Sequence, residues 1–398
     1  RWAIHHTIPR RLIAKDDRVY VTLAFADSPV SVLDAATGEI LIEALEGTKG
    51  ADEMILAEQV LVVKTTEGLS VGASRRFSKE KLNDSLVAVD VKTGRVLWRK
   101  DKARVVPYAL SAQAGRVVYH NMDELICLDL RSGSEVWRAA NAVGEALGGN
   151  SNLVISDDVV LFYGSRKGET LKAEEANREK EKNRKAVARS RFRPPIYLTA
   201  FSMKDGRELW KCQRRQVWTQ ACTLPENITI SNGVVWCASF DGLDIRTGEV
   251  KKTLEIHNTI SAGHHHRCHR TKSTVNYLIL NKRGAEFLNL NGDDHMRNDW
   301  LRGPCLTGHV PANGLFYVPP SQCFCYPGVL VSGFQAMTAN TAGHSSTEDD
   351  QEEENIWLRS AVSDEGRLEK GPAYGMDNKQ QAASDSDWPC LLYTSPSP

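Results

Sequence analysis

The sequence predicts an all-β fold, a β-propeller of four-stranded blades, and three observations predict it. An Asp-x-x-Thr-Gly turn between short apolar strands recurs along the chain, and each copy is preceded by a second apolar run closed by a turn signal. The period is about 40 residues apart from two insertions, and four short strands fit into it. Seven such units follow one another, so seven blades are visible, and the propeller closes with seven or eight when complete.

The turn is complete in "LVAVDVKTGRVLW" (86–98), where Asp90 can cap turn amides, Gly94 can take a positive φ and β-branched residues flank the turn. "VSVLDAATGEILI" repeats it with Asp34, Thr37 and Gly38, and "LICLDLRSGSEVW" with Asp129, Ser132, Gly133 and Trp137. "LTAFSMKDGRELW" keeps Gly206 and Trp210 but has Ser202 for the Asp, and "FDGLDIRTGEVKK" keeps Asp244, Thr247 and Gly248 but has Lys252 for the Trp. A sixth copy, "EFLNLNGDDH", is degenerate. The preceding runs are "RVYVTLA" (18–24), "QVLVVKTT" (59–66), "GRVVYHN" (115–121), "DVVLFYGS" (158–165), "GVVWCAS" (233–239), "NYLILNK" (276–282) and "GLFYVPP" (314–320).

Blade geometry assigns these pieces. The run before the turn motif is the second strand, the turn joins the third strand to the fourth, and a segment such as "RVVPYALSA" (104–112) supplies the innermost first strand. Trp98, Trp137 and Trp210 then project from outer strands against the neighbouring blade, where a large flat ring covers the seam.

The pattern A-x-D-x-x-T-G-x-x-x-W, complete as Ala88, Asp90, Thr93, Gly94 and Trp98, resembles the tryptophan-docking repeat of the pyrroloquinoline-quinone (PQQ) propeller superfamily. That superfamily includes the quinoprotein alcohol dehydrogenases and the outer-membrane-protein assembly lipoprotein of similar fold. "PRRLIAKDDRVYVTLAF", "HHHRCHRTKSTVNYLIL" and "CFCYPGVLVSGFQAM" are similar to a subgroup of large bacterial PQQ-like repeat proteins of unassigned activity, and the likeness runs through residues 1–338.

Zero formal net charge argues against a nucleic-acid or anionic-membrane partner, and no run of 18 apolar residues is present to span a bilayer. The opening "RWAIHHTIPRR" resembles neither a signal peptide nor a start, so the propeller of 1–338 is expected to lack N-terminal sequence. Residues 339–385 read as a polar acidic linker, and 386–398 as the start of a further segment that runs into a non-native tail, "CLLYTSPSP".

Two blades are interrupted between their second and third strands, by "EGLSVGASRRFSKEKLND" (67–84) and by "RKGETLKAEEANREKEKNRKAVARSRFRPP" (166–195). The second has Glu and Lys at helical spacing and reads as a solvated, partly helical excursion, or as a docking arm for an acidic partner.

The chain has 9 Cys and 11 His, unevenly placed. Cys127 and Cys237 read as small apolar fillers, and Cys212 with Cys222 is a conceivable disulfide. "GHHHRCHR" (263–270), "GPCLTGHVP" (303–311) and "SQCFCYP" (321–327) gather His264, His265, His266, Cys268, His269, Cys305, His309, Cys323 and Cys325 at what blade geometry makes one mouth of the central channel. His264, His266, Cys268, Cys305, Cys323 and Cys325 are candidate ligands for a transition metal, which would sit about 2.0–2.3 Å from each donor. A disulfide of Cys305 with Cys323 or Cys325, or no special role, are the competing readings. Arg267 and Arg270 could give the mouth affinity for an anionic cofactor such as a carboxylated quinone, or for an acidic sugar, or could pair with acids of neighbouring blades.

In the dehydrogenases that the chain resembles, PQQ lies under a disulfide of two adjacent cysteines with Ca²⁺ held by Glu, Asn and Asp. This chain has no Cys-Cys pair. The expected function is therefore an exported, periplasmic or extracellular, propeller that binds a protein, glycan or small ligand. The alternative is an oxidoreductase using PQQ with calcium or a channel-mouth transition metal.

Overall fold

The computed structural model describes residues 12–23, 27–67, 83–143, 151–167, 172, 195–214, 228–237, 239–256, 259, 269, 271–282, 284–298, 301–304, 307–312, 314–320 and 333–337. The strands form seven separate antiparallel sheets in chain order, each a blade. Blade 1 is β1 (Leu12–Lys15), β2 (Arg18–Val21), β3 (Ser31–Asp34) and β4 (Ile40–Ile42). Blade 2 is β5 (Ala51–Ala57), β6 (Val60–Thr66), β7 (Asp84–Asp90) and β8 (Val96–Lys100). Blade 3 is β9 (Leu110–Gln113), β10 (Arg116–His120), β11 (Glu124–Asp129) and β12 (Glu135–Ala140). Blade 4 is β13 (Asn152–Ser156), β14 (Val159–Ser165), β15 (Ile196–Ser202) and β16 (Glu208–Arg214). Blade 5 is β17 (Thr229–Ser231), β18 (Val234–Trp236), β19 (Asp241–Asp244) and β20 (Val250–Thr253). Blade 6 is β21 (Lys272–Ser273), β22 (Tyr277–Ile279), β23 (Ala285–Asn289) and β24 (Met296–Asn298). Blade 7 shows three strands among the described residues, β25 (Val310–Ala312), β26 (Leu315–Val318) and β27 (Gln335–Met337). The first strands touch one another across blades, β1 with β5, β5 with β9, β9 with β13 and β17 with β21, which makes them the innermost. The expected linker and tail lie outside the described residues.

The near-continuous apolar runs follow from burial on both faces of each blade. Along β6, Val60 and Val62 pack toward blade 3 with Val117 and Leu128, while Leu61 and Val63 pack toward blade 1 with Tyr20 and Val32. Cys127 and Cys237 fill the seams on either side of blade 4. One expectation shifts: the first strand of blade 3 occupies only the end of the 104–112 segment. Arg104 and Tyr108 have φ of 56° and 63°, and Pro107 lies between them, so this stretch turns before it extends.

The turn motif works as its chemistry demands. Asp90 Oδ1 accepts from the amides of Lys92 and Thr93 at 3.0 Å each and from the Thr93 hydroxyl at 3.1 Å. Gly94, at φ 71°, donates its amide to the Asp90 carbonyl at 2.8 Å. The Thr93 amide, the Thr93 hydroxyl and the Lys92 amide hold the Asp90 carboxyl below the usual range. Blade 4 reaches the same turn with the two polar roles exchanged. Asp205 stands at the Thr position, receives the Ser202 hydroxyl and accepts the Arg207 amide at 3.1 Å, as the Thr93 hydroxyl accepts that of Arg95.

Three turn glycines, Gly133, Gly206 and Gly248, are the floor for the preceding blade's tryptophan. A Cβ on Gly133 would come within 2.6 Å of the Trp98 ring, and the same holds for Gly206 under Trp137 and Gly248 under Trp210. The indole N–H groups of Trp98, Trp137 and Trp210 donate to the carbonyls of Leu130, Met203 and Ile245 at 2.8–2.9 Å. Lys252, in place of the next tryptophan, donates to the equivalent carbonyl of Leu290 at 2.6 Å. The reason lies one blade on: the degenerate turn has Asp293 where the others have glycine, so no bare backbone is left for an indole to cover. Lys252→Ala is expected to lower the stability by about 1–2 kcal/mol, measured by urea unfolding, because a charged donor and its half-buried acceptor are separated.

Candidate functional site

The two faces of the propeller differ. On the lower face, in blades 1 to 5, the described connections are two-residue hairpins, with positive φ at Asp16, Glu58, Ala114, Asp157 and Asn232, and the turn motifs. The long connections, 67–83, 166–195, 215–228, 254–271, 299–309 and 319–334, all join strand ends at the upper face, where first strands begin and second strands end. Beneath them lies a belt of buried polar groups.

In blade 2, Lys64 interrupts a run of valines with its side chain 1% exposed. Its Nζ lies 3.0 Å from Asp52 Oδ2 and 3.6 Å from Asp84 Oδ1. A register shift between Ala51 and Glu53 and the pairing of Thr66 with Asp84 bring the three together. Burial works against the ammonium, but Asp52, Asp84 and Glu53 outweigh it and hold Lys64 above the ordinary lysine range. Burial pushes the Asp84 carboxyl up in spite of Lys64. Glu53 accepts the Tyr108 amide at 3.3 Å, and the Tyr108 carbonyl accepts the Leu153 amide at 3.1 Å, so a polar chain crosses the inner strands of three blades.

In blade 3, His120 is fully buried. Met122 donates its amide to Nδ1 at 2.9 Å, which leaves the proton on Nε2 to reach the Asn141 carbonyl at 2.8 Å. The ring stacks on Phe162 at 4.5 Å, and burial pushes its pKa down from 6.5 to about 4. Between those values the unfolded chain binds the extra proton. Stability is therefore full above pH 6.5 and falls as the pH drops toward about 4, by about 3 kcal/mol from this group. Urea midpoints across this range should flatten by that amount in His120→Gln.

In blade 4, the buried Arg214 donates to the Asp241 carbonyl of blade 5 at 3.3 Å. Between blades 6 and 7, His269 and His309 meet, ring centroids 4.9 Å apart and nearly perpendicular at 79°. His309 also packs on Phe316 at 4.7 Å, and the Asn281 side-chain amide donates to the His269 carbonyl. Burial, then His269 and Lys272, push the His309 imidazole down to about 2, so it is neutral.

His264, His266, Arg267, Cys268, Arg270, Cys305, Cys323, Cys325 and Cys222 lie outside the described residues. Their flanking strands do end at the upper face. Among the described residues, no group of three or more His, Cys, Asp or Glu side chains could hold a metal. Among the described residues, the donor set does not fit PQQ with calcium. The chain lacks the adjacent cysteine pair, and the acids of the upper face in blade 2 surround Lys64 instead of leaving a cradle for a cation. The sequence reading missed Lys64, Asp52 and Asp84. Their signal was a lysine within "VLVVKTT" with acids at both neighbouring strand starts.

A family profile described as outer membrane protein assembly factor BamB matches residues 26–193 and 83–275. No curated protein matches the chain. Similar solved structures include the computationally designed Ika8 protein, 14% identical over 77% of this chain and 78% of that one, with a TM-score of 0.48. BamB from Moraxella catarrhalis is 15% identical over 79% and 94%, with a TM-score of 0.45. A quinohemoprotein alcohol dehydrogenase from Pseudomonas putida HK5 is 15% identical over 77% and 50%, with a TM-score of 0.39. No described helix is long and apolar enough to cross a membrane.

Proposed function

We propose a function from one premise: this chain belongs to the family described as outer membrane protein assembly factor BamB, among the PQQ-like propellers of the quinoprotein superfamily. On that premise it is a binding module of the periplasm or the extracellular space. Its upper face takes a protein partner, and its seams and lower face are scaffold. The observation that carries this is the segregation of every long connection to the upper face, while the described connections below in blades 1 to 5 are tight turns. Loops held on a rigid frame are where binding groups concentrate. The family's description as an assembly factor favours a protein over the glycan or small ligand that the sequence leaves open.

The test places a photo-crosslinking residue at Glu67 or Lys167 on the upper face and at Lys92 or Lys204 on the lower face, all exposed. The full chain is irradiated in an extract of its source cells. Protein adducts confined to Glu67 and Lys167 are expected. Adducts at Lys92 and Lys204 alone, or none at any position, would contradict the assignment.

A further inference from the structure

We propose that His269 and His309 together bind a transition-metal cation of the zinc, cobalt, nickel or copper class, each through one imidazole nitrogen. The site does not depend on the binding-module reading. Its two ligands come from consecutive blades, His269 just before β21 and His309 just before β25, so the ion would bridge a seam.

Three observations support the pair. Both side chains are buried, at 3% and 0% exposure, and their ring centroids lie 4.9 Å apart. Neither ring nitrogen of His309 has a hydrogen-bond partner among the described residues. A buried polar group in that state needs an explanation, and an ion is one. His120, the other described imidazole at 0% exposure, uses both its nitrogens and so offers none. Glycines press the backbone against the Nδ1 edge of both rings, so the ion would take the Nε2 of each. A Cβ at Gly303 would stand 2.9 Å from His309 Nδ1, and one at Gly308 would collide with His269 Nδ1. Neutral imidazole nitrogen suits this class of cation and not calcium or magnesium, and two such ligands fill half of a tetrahedral sphere.

The probe is Co(II), titrated into the chelator-washed full chain and followed by visible absorption. Because "HHH" at 264–266 could bind the same ion, the titration is repeated in His264→Ala/His265→Ala/His266→Ala. Binding of one ion retained in that triple variant, and weakened about 10-fold or more in both His269→Phe and His309→Phe, supports the site. Unchanged binding in either phenylalanine variant, or binding abolished in the triple variant, overturns it. Should a phenylalanine variant fail to give the wild-type circular dichroism, Cu(II) EPR of the triple variant decides. Nitrogen hyperfine structure from two imidazoles supports the site, and its absence overturns it.

Discussion

Trp137→Ala is expected to lower the unfolding free energy by about 3–5 kcal/mol, the largest loss among the seam tryptophans. Its indole is 8% exposed, packs with Val160, Phe162 and Phe201 of the next blade, and donates to the Met203 carbonyl at 2.8 Å. Trp98 and Trp210 are only half-buried and should cost less. Gly206→Ala attacks the same contact from below. At φ 73° any side chain is strained, and its Cβ would stand 2.6 Å from Trp137 Cε3. Leu97→Ala, on the same kind of outer strand but 38% exposed, should stay within about 0.5 kcal/mol of the parent. Guanidinium unfolding of these five variants, alanine at Trp98 and Trp210 included, measures all of this. A Trp137→Ala loss below about 1 kcal/mol would mean that the indole covers the seam without holding it.

Lys64→Met is expected to cost about 3–5 kcal/mol at pH 7, because it leaves Asp52 and Asp84 buried without their cation. The pH dependence follows from the acids. A buried carboxyl without a cation takes its proton well above the unfolded value of 3.8, so the folded variant binds more protons than the unfolded chain. Its stability therefore rises on acidification through that range, and the gap to the parent narrows from pH 7 toward pH 4. Lys64→Met/Asp52→Asn/Asp84→Asn should recover most of the loss at pH 7. Urea unfolding at several pH values checks the sign.

What the sequence shows plainly is whatever repeats within a blade. The turn motif, the alternating strands and the seam role of Trp98, Trp137 and Trp210 all follow from local chemistry, and the structure has them. What it hides are contacts whose partners lie in another strand or blade. The exchange of Ser202 and Asp205 looks like loss of the motif until both side chains are seen to bond each other. Lys252 looks like a broken seam, yet its ammonium reaches the carbonyl that an indole would take. Lys64 looks like a stray polar residue because its carboxylates come from the two neighbouring strands. His269 and His309 are 40 positions apart, and only the stacking of blades 6 and 7 makes them a pair. For the remaining His, Cys and Arg candidates, the sequence gives density and the blade topology gives a face, while their geometry lies outside the described residues.

On the proposed function, the repeats specify the scaffold and the interruptions specify binding. Thr66 pairs with Asp84 and Ser165 with Ile196, so a short Gly-Ser connector can close each strand pair once 68–82 and 168–194 are removed. The most direct measurement combines urea unfolding and upper-face photo-crosslinking on this doubly shortened chain. A stability within about 1 kcal/mol of the parent, together with loss of the adducts at Glu67 and Lys167, is the predicted result. Retained adducts, or a chain that no longer unfolds cooperatively, would contradict the division of labour between repeat and interruption.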